Sequence, residues 1–312
     1  MPLRMLSGAS LLLLAGMTLS WAVETPRPVE IGQPVGSFEL SDFRGKAWKL
    51  ADFESQDVLV VAFLGTECPL ANQYGGRLVA LAQKYTGQPV GIIAIDANQQ
   101  DSLTELAHFA RVHKIEFPLL KDPGNRVADQ FGAERTPEVF VLDRERHVRY
   151  HGRIDDQFTY GIQRPRAEHE YLREAIDDLL AGREVKIATT DLVGSHIGRI
   201  TQPDPTSEVT YSNQISRILQ DHCVQCHRPG EIGPFSLTNY EEVVGWSSML
   251  EEVVQQQRMP PWHANPEYGH YSNDTRLTDE EKSLLYRWVQ AGSPEGNPAD
   301  LPEPREYVIG WR

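Results

Sequence analysis

The 312-residue chain predicts an α/β domain followed by a small all-α domain. Asp57–Leu64 and Val90–Ile95 are near-continuous apolar runs, the pattern of strands buried on both faces. Helically spaced apolar residues follow each run, as in folds that alternate strands with helices. Beyond residue 208 only helical spacing recurs. At roughly 100–200 residues per domain the length suits two units.

The elements follow in order. After the first run, Leu70, Tyr74, Leu78, Leu81 and Tyr85 share one helix face. Ser102 with Glu105 forms a capping box that opens a helix through Leu106, Phe109 and Val112. Glu138–Leu142 and His147–Tyr150 read as adjacent strands around the turn at Asp143–Arg146. A last amphipathic helix carries Tyr171, Leu172, Ile176, Leu179 and Leu180 and stops near Gly182. This β-α-β-α-β-β-α order is expected over 34–183. Periodicity then fades, and Pro203-Asp-Pro205 supplies breakers, so 184–208 reads as a linker. The second domain spans 209–294. Ile215, Ile218 and Leu219 lead a short helix into Cys223, and a Thr278–Glu281 capping box precedes Leu284, Leu285, Trp288 and Val289, with Gly292 as the stop. A Pro-rich tail, 295–312, closes the chain.

Composition excludes several classes. With 40% hydrophobic and 24% charged residues the chain is neither disordered nor collagen-like. Lys+Arg 30 against Asp+Glu 44 gives −14, which argues against a nucleic-acid partner, because no excess of cations is available to displace phosphate counterions. Three cysteines are too few for a disulfide-stapled fold. At the N-terminus, Arg4, the apolar run around Leu11–Leu14 and the small residues of Ser20-Trp21-Ala22 read as a signal peptide over 1–22. The run is shorter than the ~20 residues of a spanning helix. The mature protein is thus expected to be exported, periplasmic or otherwise extracytoplasmic, without a membrane span.

Cys223-Val-Gln-Cys226-His227 is the strongest chemical signal. Two thiols at this spacing can bond both vinyl groups of one haem, and the histidine directly after reaches the iron. Export agrees, since c-type haem is attached outside the cytoplasm. The alternatives are a disulfide or half a zinc site, but no second ligand pair follows at zinc spacing. One covalent haem c is therefore expected, with His227 as one axial ligand. Met249, Met259, His263 and His270 are the candidates for the other. Met249 lies on a helical face and reads as core, whereas Met259 precedes Pro260 and Pro261, which stiffen the chain around its sulfur, so Met259 is favoured.

Gly65-Thr66-Glu67-Cys68-Pro69 joins the first buried run to the following helix. A cysteine at a helix N-terminus meets unpaired amides and the positive end of the dipole, and both favour thiolate. Thr136-Pro137 precedes another strand, where a cis proline would lie beside that thiol. The catalytic candidates are accordingly Cys68, Thr66, Thr136 and Pro137. Ala71 stands in the second position of a CxxC pair, so two-cysteine exchange is excluded. One-cysteine peroxide reduction remains, in which the thiolate becomes a sulfenic acid and an outside reductant restores it. The competing reading is an inherited fold whose cysteine no longer turns over. Asp155-Asp156 and Glu241-Glu242 read as solvated faces or caps, Glu251-Glu252 as an exposed helix side, and His108 and His113 as surface residues.

At these residues the chain resembles two families in series. Residues 34–183 are similar to the redoxin branch of the thioredoxin superfamily through Phe63-Leu-Gly-Thr-Glu-Cys68-Pro, Phe117-Pro-Leu-Leu-Lys-Asp122 and Arg135-Thr-Pro-Glu-Val-Phe-Val-Leu-Asp143. The resemblance implies a thioredoxin-like central mixed sheet with flanking helices. It departs at Gly65, where peroxiredoxins carry Thr or Ser. Residues 209–294 resemble small c-type cytochrome domains through Cys223–His227, Met259-Pro-Pro-Trp262 and the terminal helix. Together they look like exported redoxin–cytochrome fusions, some of which continue into a copper-dependent monooxygenase-like domain. The reading is an exported haem electron-transfer protein with a redoxin module, its partners a redox protein donor or acceptor and a peroxide or thiol substrate. The alternatives are a non-catalytic redoxin scaffold that presents the cytochrome, or the N-terminal part of a larger copper oxidoreductase.

Overall fold

The computed structural model describes residues 28–262 and 264–308. The expected signal peptide, 1–22, and His263 lie outside the described residues. The first unit is built on β3 (Val58–Phe63), whose six residues are all buried. Its even-numbered side chains, Val58, Val60 and Ala62, enter one core, and Leu59, Val61 and Phe63 enter the core on the opposite face. This is the physical meaning of the continuous apolar run: a strand covered on both faces has no polar side.

Seven strands form the main sheet. A hairpin of β1 (Glu39–Asp42) and β2 (Ala47–Lys49) lies at one edge. The order is then β1, β5 (Leu119–Lys121), β4 (Val90–Asp96), β3, β7 (Glu138–Leu142) and β8 (Val148–Gly152). Strands β3, β4 and β5 are parallel and the remaining pairs antiparallel, so the sheet is mixed. On the first face α1 (Pro69–Lys84), α2 (Leu103–His113) and α4 (Tyr171–Leu180) supply Leu78, Leu106 and Ile176. On the second, α3 (Arg126–Phe131) supplies Phe131, packed against Phe63 and Phe140.

The Ser102–Glu105 capping box forms as its sequence implies, and Gly182, at φ 68°, follows the end of α4. The β1–β2 hairpin, β5 and α3 are absent from the sequence reading. They are too short to show a period, and side-chain caps define them. Asp42 accepts from the amides of Arg44 (2.9 Å) and Lys46 (3.0 Å) and from the Trp48 indole (3.2 Å), which fixes the hairpin turn. Asp122 accepts from the amides of Val127 (2.8 Å) and Ala128 (2.9 Å) at the start of α3.

Residues 184–208, expected as a linker, include a strap laid across this unit. Here β11 (Ser195–His196) pairs antiparallel with β6 (Arg135–Thr136), and Val193, Ser195 and Ile197 are buried. A smaller ribbon, β9 (Phe158–Thr159) with β10 (Ile162–Gln163), lies before α4. The strap is aperiodic because two ladder residues and isolated buried side chains leave no repeat to detect.

The second unit is helical over its described residues. A π turn at Tyr211–Ile215 runs into α5 (Ser216–His222), followed by α6 (Tyr240–Val244), α7 (Ser247–Gln255) and α8 (Asp279–Gln290). Ile215, Leu219, Trp246, Leu250, Leu285 and Trp288 form its own core. The Thr278–Glu281 capping box is present, and Gly292 (φ 75°) follows α8. No helix among the described residues is long and apolar enough to cross a membrane.

Gly194, at φ 123°, lies where any Cβ would overlap the Thr136 carbonyl oxygen. Backbone cannot yield there as a flexible side chain would, so Gly194→Ala should destabilise the protein by about 1–3 kcal/mol. Thermal melts should show the loss, and hydrogen exchange should show deprotection at Ile197, whose amide donates to the Glu134 carbonyl.

Candidate active site

Cys68 is the N-cap of α1, with Pro69 at the first helical position. Its side chain is fully buried. The thiol donates to the Thr136 carbonyl (2.9 Å), the Ser195 hydroxyl donates to Sγ (3.2 Å), and the Ala71 amide approaches Sγ at 3.5 Å. The Thr136–Pro137 peptide is cis and borders the thiol through that same carbonyl. The structure thus brings together Cys68, Thr136 and Pro137 and adds Ser195. It also encloses the sulfur, whereas a helix N-terminus read from sequence implied only a favourable dipole.

The loop before Cys68 is tied down from below. Asp101 accepts from the Thr66 amide (2.8 Å) and from Asn98 Nδ2 (3.0 Å). Asp96 sits beneath, bonded to Lys121 Nζ at 2.6 Å; burial, and then the neighbouring Asp101 carboxylate, hold it well above the ordinary carboxylate range despite the lysine. The hydroxyls of Thr66 and Thr136 are buried without a protein partner. Gly65 has a local reason: a Cβ there would overlap Asn98 Nδ2 and lie 3.2 Å from Thr136 Oγ1. The space that a threonine side chain would need at this position is already filled.

The second unit docks on this same face. Glu252 of α7 accepts from Arg135 Nη2 (2.5 Å), lies 2.8 Å from His196 Nε2, and also pairs with Arg258. Burial works against its charge, but Arg135 and His196 outweigh it and hold Glu252 below the ordinary range. Burial, and then Arg135, push His196 down. Glu252 is therefore an ion-pair hub between the units, which corrects its reading as a solvated helix side. Asp155, read as a solvated face or a cap, does accept from the Gln157 amide (2.9 Å) but is not solvated. It is buried, and it accepts from Tyr74 (2.5 Å) and Arg77 (2.6 Å).

Glu67 lies at the seam, beside Cys68 in the chain and next to the Trp246 indole of the second unit. Burial, then the charges of Asp101 and Glu105, push its carboxyl up to about 7, with the Trp246 N–H pulling the other way. Trp246 stacks on Phe235 (centroids 3.9 Å apart, 10°), and Phe235 packs on His227 (4.7 Å, 42°). Sequence spacing carries no trace of this aromatic path.

Cys223 is the C-cap of α5, and Cys226 and His227 continue as a tight turn whose amides donate to the Cys223 carbonyl at 3.1 and 3.0 Å. Burial pushes the Cys223 thiol up to about 12. His227 Nδ1 lies 3.1 Å from the Phe235 carbonyl. A carbonyl only accepts, so Nδ1 carries the proton and Nε2 keeps its lone pair. A Cβ on Gly233 would meet the Cys226 carbonyl at 2.6 Å and His227 Nδ1 at 2.8 Å, so only glycine lets this loop close over the motif. Met259 is partly exposed, on the wall of a cleft of about 790 Å³ with Val254, Trp262 and Leu277. Cys223, Cys226 and His227 are not among the residues that line that cleft. Met249 packs against the helical core as expected, and His270 is exposed.

Residues 31–151 match the AhpC/TSA family. A thiol-disulfide oxidoreductase, ResA, from Bacillus thuringiensis subsp. konkukian is 29% identical over 120 residues, 38% of this chain and 68% of that one. A chloroplastic peroxiredoxin Q from Oryza sativa subsp. japonica is 28% identical over 129 residues, 39% of this chain and 58% of that one. The crystal structure of a hypothetical protein from Sinorhizobium meliloti 1021 superposes with a TM-score of 0.50 at 29% identity, covering 55% of this chain and 96% of that one. The first unit is a thioredoxin-like redoxin domain.

The Glu67 shift has a stability consequence. A carboxyl raised from 4.5 to about 7 in the folded protein favours folding while protonated. That contribution is fully present below pH about 4.5 and is lost as pH rises through about 7. Urea melts should show Glu67→Gln flattening part of the stability loss between pH 5 and pH 8. An unchanged slope would remove Glu67 as its source.

Proposed function

We propose that the protein is an exported thiol oxidoreductase in which Cys68 is the single redox cysteine and a covalent haem on Cys223, Cys226 and His227 carries electrons. The observation that carries the thiol half is the placement of Cys68: N-cap of α1, on the loop that leaves β3, against the Thr136 carbonyl and within reach of two donors. Relatives named for thiol–disulfide exchange and for peroxiredoxin activity support redox chemistry at this position. The thiolate attacks a peroxide oxygen and the O–O bond breaks. Cys68 becomes a sulfenic acid as the alcohol or water leaves; one external thiol then forms a mixed disulfide with loss of water, and a second releases the Cys68 thiol. Ala71 occupies the position a second cysteine would need within the motif.

The haem half is supported by the donor set. Cys223, Cys226 and His227 share one backbone turn, and the imidazole is oriented by its Nδ1–H on the Phe235 carbonyl, as metal-bound histidines generally are. Haem bound there would supply one-electron chemistry. Phe235 and Trp246 lie between His227 and the Cys68 loop and make the two sites neighbours. Met259 would supply the second, thioether donor to the iron. Export rests on the N-terminal apolar stretch together with the haem motif.

The complete burial of Cys68 favours a second reading, in which the redoxin domain is a scaffold that presents the helical unit to a redox partner. Cys68→Ser separates the two: loss of peroxide turnover supports the enzyme, and unchanged partner reduction without any turnover supports the scaffold.

Protein made with a cytochrome c maturation system should keep its haem through acid–acetone extraction, and Cys223→Ala/Cys226→Ala protein should not. Met259→Ala should abolish the weak far-red sulfur-to-iron band of the oxidised protein and lower its potential. Colourless wild-type protein would refute the haem, and a band unchanged in Met259→Ala would refute the ligand.

A further inference from the structure

We infer that Ser195 is the positioning residue for Cys68: the strap delivers its hydroxyl as the donor that holds negative charge on the sulfur, at the place from which a second thiol would otherwise act. This rests on the proposed thiol chemistry at Cys68. Three hydrogen-bonding groups surround Sγ. The Thr136 carbonyl at 2.9 Å can only accept, so it suits the S–H form and opposes the thiolate. Once the proton leaves, the donors in place are the Ser195 hydroxyl at 3.2 Å and the Ala71 amide, longer at 3.5 Å. The sulfur is fully buried, so water does not make up the difference. A hydrogen bond to the charged form stabilises it, and Ser195 provides the shorter of the two.

Ser195 is itself committed to this role. It is 5% exposed, and Cys68 Sγ is the acceptor of its hydroxyl. Both neighbours in the strap are clamped. The Gly194 amide donates to Tyr160 Oη (2.9 Å), its carbonyl accepts from Arg135 (2.8 Å), and His196 faces Glu252. Gly194 also lets the strap lie close enough to the Thr136 carbonyl for the next side chain to reach the sulfur. The charged groups on the surrounding elements are Glu67 on the loop, Asp101 after β4, Arg135 on β6, Glu138 on β7, His196 on the strap and Glu252 on α7. Arg135 is bonded to Glu252 and Gly194, and Glu138 accepts from the amides of Glu134 and Arg135 and lies beside His151. The hydrogen-bond partners of the sulfur are the neutral Thr136, Ser195 and Ala71.

The same contact explains single-cysteine chemistry in space as well as in sequence. A thiol at the position of Ser195 Oγ would be placed to attack a Cys68 sulfenic acid. The S–S bond would form, the S–O bond would break, and water would leave with the thiol proton.

The test uses the full-length, haem-loaded chain and follows iodoacetamide modification of the Cys68 peptide by mass spectrometry between pH 5 and pH 10. Ser195→Ala should move the midpoint of the rate profile up by about one pH unit, so that modification near neutral pH slows about tenfold. Ser195→Thr, which restores a hydroxyl, should return it most of the way. Ser195→Cys treated with one equivalent of hydrogen peroxide should lose two hydrogens and yield a cross-linked peptide pair joining positions 68 and 195. A Ser195→Ala profile that keeps the wild-type midpoint would overturn the inference, as would Ser195→Cys protein that ends as Cys68 sulfenic or sulfinic acid without the cross-link. If wild-type Cys68 is alkylated but never oxidised by peroxide, the proposed peroxide chemistry fails, and the alkylation profiles still decide the role of Ser195.

Discussion

One backbone carbonyl organises the redox face of this protein. The Thr136 carbonyl accepts the Cys68 thiol on one side and takes the close approach of Gly194 on the other. Because β6 and β11 pair there, the strap cannot leave without uncovering the sulfur, and the helix that begins at Cys68 is fixed against the same point. Two ladder residues would be marginal alone. Burial of Val193 and Ile197 and the Arg135 and Tyr160 contacts to Gly194 make the bridge part of the core.

The docking of the helical unit follows from that bridge. Glu252 meets Arg135 of β6 and His196 of β11, one residue from each strand of the pair. Removing a partly buried carboxylate from water costs more than a single ion pair returns, and several cations around Glu252 offset that cost where one would not. Such a hub selects one docking geometry more than it adds stability, because each partner is satisfied only when the others are in place. It also places Trp246 beside Glu67, so the ionisation of that carboxyl is sensed at the seam between the units.

The two chemical motifs are therefore closer in space than their separation in the chain implies. Cys68 lies in a core of the first unit, and His227 touches Phe235, which stacks on Trp246 near Glu67.

The continuous apolar runs at β3 and β4, the helical spacing of α1, α2 and α4, the two capping boxes and the glycine stops are local patterns, and the sequence alone determined them. A strand covered on both faces and a helix with one buried face each write their burial into neighbouring residues. The position of Cys68 at a strand–helix junction, the Thr136–Pro137 segment and the Cys223–His227 turn were legible for the same reason. The β1–β2 hairpin, β5 and α3 were not, because elements of a few residues held by Asp42 and Asp122 caps leave no period. Tertiary structure alone decided the enclosure of Cys68, the Ser195 donor, the Glu252 hub, the burial of Asp155 and the Trp246–Phe235 path. Apart from the Phe235–Trp246 stack, each joins groups dozens of positions apart, and a single serine or glutamate reads as surface until the backbone that covers it is in place.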